Sequence, residues 1–168
     1  MPFPMQKNRA FSLVESLVVV ALVMVLASMA IPVWQVTLDE AKLASVDQQL
    51  QRVRSATDFY RFQHAEKWPG ELFSTWSSEA FTGQLTAATN STGLWAAVGS
   101  PGFPWGPYLP NGIPSNPFND LQTVVVIPPE SRSTGPNDRT GWIFEAATGR
   151  IFANTTALAP DGTAIYNR

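Results

Sequence analysis

The chain has 168 residues, a formal charge of −2, no cysteine and a single histidine. An acidic balance with no basic stripe gives no sign of nucleic-acid binding, and no nucleic-acid partner is expected. The lack of cysteine removes disulfide staples, thiol catalysis and cysteine metal sites. His64, alone in RFQHAEKWPG, offers little to a zinc site or a Ser-His-Asp triad and reads as a solvated helix-end residue. No nucleophile–base pair is evident, so no enzyme activity is expected.

Residues 1–10, MPFPMQKNRA, form a leader in which Pro2 and Pro4 argue against a helix. The next stretch runs apolar from Phe11, and between Glu15 and Asp39 no residue is charged. A run of about 18–25 apolar residues is long enough to cross a hydrocarbon core of about 30 Å, so residues 11–33 are predicted to be a transmembrane helix. Lys7 and Arg9 precede it and no cation follows until Lys42, a bias that keeps the N-terminus in the cytoplasm.

Glu15 interrupts the run. An ionised acid in a membrane helix costs about 2.5–3.5 kcal/mol and asks for a partner. Ser12 three residues earlier allows a capping box, with Glu15 as its reciprocal residue. An ordinary secretory signal is also open, because Ser28-Met29-Ala30 offers small residues to a signal peptidase. Pro32 removes a backbone donor and is expected to kink or loosen the helix.

Beyond Pro32 the helix continues over 33–63 in amphipathic form. Leu43, Val46, Leu50, Val53, Thr57 and Tyr60 recur at alternating spacings of three and four, and Lys42, Asp47, Arg52, Arg54, Asp58 and Arg61 lie mostly off that stripe. The stripe is expected to dock on a sheet of the same chain. Trp68-Pro69-Gly70 ends the helical pattern.

Residues 71–122 read as ordered loop with short helices at 70–76 and 92–98. Their aromatics, from Phe73 to Trp105, are expected to bury the loop against a core. Thr123–Ile127 is β-branched and reads as a strand, with Pro128-Pro129 stopping it. Residues 141–145 and 150–153 flank Ala146-Ala147-Thr148-Gly149 and predict a hairpin with glycine where positive φ is needed. The three strands are expected to form one antiparallel sheet. Residues 155–168 read as a tail with a turn at Asp161-Gly162.

KNRAFSLVES followed by an apolar helix resembles the class III, or prepilin-type, signal of type IV pilins and pseudopilins. The matching residues are Ala10, Phe11, Glu15 and Pro32; the family usually has glycine where this chain has Ala10. The resemblance implies cleavage after Ala10 by a prepilin peptidase and methylation of Phe11. It implies that Glu15 pairs with the methylated ammonium of Phe11 on a neighbouring subunit. GPYL…IPSNPF (106–118) and WIFEAATGRIFAN (142–154) are further similar to the loop and last hairpin of major pseudopilins of type II secretion.

The implied fold is α+β and pilin-like. A long N-terminal helix, half transmembrane and half amphipathic, packs on a small three-stranded antiparallel sheet with a long loop-rich insertion. The implied division is 1–10 cytoplasmic leader, 11–33 transmembrane helix and 34–168 periplasmic head. The implied location is single-pass in a bacterial inner membrane. The partners are like or homologous subunits, the peptidase/methyltransferase, an inner-membrane assembly platform and the bilayer.

The expected function is a structural subunit of a type II secretion pseudopilus. A pilin for adhesion, motility or DNA uptake is the near alternative, and a membrane-anchored periplasmic binding module is the alternative of another class. No cofactor is expected. Major pseudopilins commonly hold one calcium ion, and Asp120, Asp138 and Asp161 are its weak candidates here, though no EF-hand spacing is present.

Overall fold

A computed structural model describes residues 12–168, and for 29–37 the backbone alone. The leader, Ala10 and Phe11 lie outside the described residues. The chain divides into two compact units, Met1–Leu38 and Asp39–Arg168. The first helix, α1, spans Leu13–Gln63, and each unit holds part of it.

In the second unit the amphipathic stripe behaves as its spacing dictates. Leu43, Val46, Leu50, Val53, Thr57 and Tyr60 are all buried, while Lys42, Arg52 and Asp58 are exposed. Residues three and four apart share one helix face, so one continuous ridge enters the core. There it meets Phe81, Leu85, Trp142, Phe144 and Ile151.

Three strands form the main sheet: β5 (Val124–Ile127), β6 (Trp142–Glu145) and β7 (Arg150–Ala153), in the order β5-β6-β7. β6 and β7 are the expected antiparallel hairpin, with Ile143 opposite Phe152. Gly149 sits at φ +69° in its turn, and a Cβ there would come 2.1 Å from Cζ2 of Trp68.

The sheet is not wholly antiparallel, however. β5 runs parallel to β6, with Val124 opposite Trp142 and Ile127 opposite Glu145. The connection over 128–141 is long enough to carry the chain back to the start of the sheet, which parallel pairing requires.

The region 71–122 departs further from expectation. Instead of a helix at 70–76, β1 (Glu71–Leu72) and β2 (Thr75–Trp76) make a hairpin whose turn residues Phe73 and Ser74 both have positive φ. The helix comes next, α2 at Ser78–Thr86, where the Ser77 hydroxyl accepts the Ala80 N–H at 3.0 Å and Glu79 lies in the first turn. A side-chain cap and an acid at the N-terminus satisfy the orphan amides and the dipole.

Instead of a helix at 92–98, β3 (Ala88–Thr89) pairs with β4 (Trp95–Ala96). Asn90 closes their turn, its Oδ1 accepting from Thr92 N–H, Thr92 Oγ1 and Leu94 N–H. Only some aromatics of the region cover the core: Phe81 is buried in it, and Trp76, Tyr108 and Phe118 pack beside it. Phe73 does not, at 74% exposed.

The end of the chain is packed rather than a tail. Leu158 bridges Ala164, a closing 3-10 turn covers Ile165–Asn167, and Ile165 is fully buried. Arg168 pairs with Asp47 at 2.6 Å, and Arg54 donates to the carbonyls of Ile151 and Arg168. His64 is not solvated either: it is 2% exposed, stacked on Tyr60.

Without disulfides, the long loops need another cross-link, and asparagine supplies it. Asn116, fully buried, donates to the Gly141 carbonyl at 2.9 Å and accepts from Phe118 N–H. Asn119 donates to the carbonyls of Thr140 and Asn154. Asn154, also fully buried, accepts from Asn137 N–H and donates to Asn137 Oδ1 and Thr140 Oγ1. Each amide satisfies groups on segments distant in sequence, and a buried polar group left unmatched costs about 1–3 kcal/mol.

Two outcomes follow for urea unfolding of the full chain in detergent micelles. Asn154→Ala loses about 1–3 kcal/mol, because Asn137 and Thr140 are left without their amide. Gly149→Ala loses a similar amount, about 1–3 kcal/mol for the positive φ alone. A loss under about 0.5 kcal/mol, the scale of a neutral surface change, in either variant contradicts the role assigned.

Candidate functional site

The first unit presents a surface that a lone chain in water leaves unburied. From Leu13 to Leu26, eleven large apolar side chains of α1 are half or more exposed, with Leu13 at 80% and Met24 at 67%. They point in all directions around the helix. A helix apolar all round is a buried helix, and none of the described residues covers it. Covering one Val, Leu or Met is worth about 1.5–3 kcal/mol. Eleven such gains outweigh the roughly 2.5–3.5 kcal/mol that a central acid costs.

Glu15 stands in the first turn of α1 and is exposed. Ser16 N–H donates to the Ser12 carbonyl at 3.1 Å, so Ser12 opens the helix as a cap residue does. Among the described residues Glu15 has no ion pair and no side-chain hydrogen bond. A capping box would spend its carboxylate on the Ser12 amide; here it projects from the apolar surface instead. Pro32 lies within the helical span of α1, and its side chain falls among those left undescribed.

The predicted crossing segment, 11–33, extends past the described side chains at both ends. Among the described residues no helix is long and apolar enough to cross a membrane.

The three candidate calcium aspartates serve separate structural roles, Asp138 tying two loops together and Asp161 closing its own turn. Asp138 accepts from Thr156 N–H at 3.2 Å and from the Thr156 hydroxyl. The hydroxyl holds its carboxyl below the usual value. Asp161 accepts from Thr163 N–H at 2.9 Å and Oγ1 at 2.7 Å, bonds that lower its carboxyl likewise. Asp120 takes a positive φ of 56° in the loop that Asn116 closes. These three do not converge, and among the described residues no three His, Cys, Asp or Glu side chains gather as a metal site.

One recess in the head was not foreseen. It holds about 410 Å³ between the 128–135 loop and the end of the chain, and Arg132, Ser133, Glu145 and Tyr166 line it. Ser133 Oγ and Tyr166 Oη are 3.3 Å apart across it. Nothing in the local sequence marks it, because its walls come from segments 33 residues apart.

No curated protein and no solved structure matches the chain. Residues 5–31 match the family model described as the prokaryotic N-terminal methylation motif, which spans the basic leader, Glu15 and the exposed apolar turns of α1. That match supports a type IV pilin-like protein.

Proposed function

We propose that the chain is a structural subunit of a membrane-anchored filament, and specifically of a type II secretion pseudopilus. The observation that carries this reading is the unburied apolar helix with one acid in its first turn, lying inside the methylation motif. The motif implies processing by a prepilin peptidase and assembly into pilin-like filaments.

The physical sequence is as follows. The apolar half of α1 first sits in the bilayer, N-terminus in the cytoplasm. Cleavage after Ala10 removes Lys7 and Arg9 and frees the amine of Phe11, which is then methylated. That leaves one cation and one carboxylate at the same end of an apolar rod. Each is costly alone in hydrocarbon, and each is relieved by its opposite on a neighbouring rod. Breaking such a buried pair strands a charge at a cost of about 3–5 kcal/mol. The pair therefore fixes the axial position of one subunit against the next, while the Leu and Val surface supplies most of the cohesion.

The pseudopilus is favoured over a surface pilus by the segments 106–118 and 142–154, whose sequences are similar to those of major pseudopilins. They lie in the Asn116 loop and the β6–β7 hairpin. In this reading the head needs no catalytic group; it is carried on the rod and pushed outward as subunits are added.

Mass spectrometry of protein isolated from membranes is expected to find N-methylated phenylalanine, Phe11, at the mature N-terminus. A chain beginning at Met1 or Ile31 contradicts the reading. Glu15→Ala is expected to insert and be cleaved normally, but to enter filaments on the order of a hundredfold less well, as a stranded charge requires. Normal filament yield from that variant removes the pairing role. Electron microscopy separates the two filament types: long surface fibres made mainly of this chain favour the pilus.

A further inference from the structure

His64 follows directly on α1 and is walled in by aromatic rings. It is 2% exposed. Its ring lies flat on Tyr60, with centroids 3.8 Å apart and planes 8° from parallel. Trp105 presents an edge at 5.1 Å and Tyr108 another at 6.3 Å. Nδ1 lies 2.8 Å from the Tyr60 carbonyl. A carbonyl can only accept, so Nδ1 carries the hydrogen. Nε2 is then a bare lone pair, buried and without a hydrogen-bond partner.

These contacts join α1 to segments far away in sequence. Tyr108 donates from its hydroxyl to Gln63 Oε1 at 2.6 Å. Thr89 and Trp105 exchange backbone hydrogen bonds at 2.8 and 3.2 Å, which brings β3 and the Trp105 loop to the same place. Residues 88–108 thus rest on the end of α1 through one aromatic cluster with His64 in its middle.

Adding a proton to Nε2 puts a full charge into this cluster. The groups facing His64 are Tyr60 from α1, Trp105 and Tyr108 from the loop and the Asn90 carbonyl beside β3. None is an acid. Glu66 is paired to Arg61 at 2.5 Å, and that guanidinium lies over Trp68. Lys67 is exposed, and Glu71 of β1 acts on Tyr60. Burial holds both phenols above their ordinary value and so uncharged near neutrality, so neither supplies a counter-charge. Two carbonyls remain, which is little compensation for a buried cation.

We propose that His64 is a protonation-sensitive latch: neutral, it holds residues 88–108 on the end of α1; charged, it lets them go. The direction is consistent with its titration. Burial lowers the imidazole below its ordinary value near 6.5, and the Tyr60 and Asn90 carbonyls only partly offset this. The open form keeps the ordinary value. The latch is therefore fully closed above pH 6.5 and weakens as pH falls from there toward the lower, closed-form value.

The test is hydrogen exchange of the full chain in detergent micelles at pH 7 and pH 5, corrected for intrinsic rates. In the wild type, amides of 88–108 are expected to open several-fold more often at pH 5 than at pH 7, up to the roughly 25-fold that a pH 1.5 units under 6.5 permits. β6 serves as the internal reference. In His64→Gln, which is neutral at both pH values, that acid response is expected to vanish. An unchanged ratio of 88–108 to β6 in the wild type overturns the proposal, as does an equal acid response in the variant. Should His64→Gln fail to fold, the wild type still decides. His64 is the only histidine, so its imidazole resonances titrate unambiguously. A midpoint clearly below 6.5 supports the latch, and one at or above 6.5 overturns it.

Discussion

A rod of Leu, Val and Met with one carboxylate near its start cannot be stable alone in water. That constraint governs the first unit of this protein. The apolar side chains between Leu13 and Leu26 are bare on all sides, and no fold of the described chain covers them. In the proposed reading their surroundings come from lipid, from other copies of the rod, or from each in turn. Glu15 makes the two environments unequal. Lipid offers a carboxylate nothing, whereas the proposed bundle of like rods would offer each acid an amine. The acid thus biases the rod toward association without adding much to its strength.

The second unit answers a different demand. It must stay folded without disulfides. The stripe from Leu43 to Tyr60 gives the helix a continuous apolar ridge, and Trp142, Phe144 and Ile151 receive it. The loops are then tied by side-chain amides. Asn116, Asn119 and Asn154 reach across the 114–123, 135–141 and 153–156 segments. Such a lattice does for the loops what a covalent bridge or an ion does elsewhere, at the cost of needing every amide satisfied.

How much of this was legible in the sequence depended on how local its cause is. The helix stripe follows from spacing alone, and every residue assigned to it is buried. The β6–β7 hairpin follows from two β-branched and aromatic runs around Ala146–Gly149. The direction of β5 did not follow, because parallel pairing is decided by where the 128–141 crossover returns. α2 was displaced by several residues; its marker, Ser77 before Glu79, lies in a run of Ser, Thr and Trp that also suits loops. His64 looked solvated among charged neighbours, since the rings that enclose it, Trp105 and Tyr108, are some forty residues on. The packed chain end was hidden for a related reason: its short apolar pieces, Ala157–Ala159 and Ala164–Tyr166, are split by the Pro160–Thr163 turn and carry no periodicity. At the candidate site, Glu15 was legible as the only charge in an apolar run, while the recess at Arg132 and Tyr166 was not, being assembled from distant segments.

The most direct measurement of the central claim is a solid-state NMR distance in filaments grown from two pools of subunit. One pool carries nitrogen-15 at the Phe11 amine and the other carbon-13 at the Glu15 carboxyl. Magnetisation transfer in the mixed filaments, at an amine–carboxylate separation of about 4 Å or less, is the predicted result and can only arise between molecules. Well-ordered filaments that show no such transfer contradict the account.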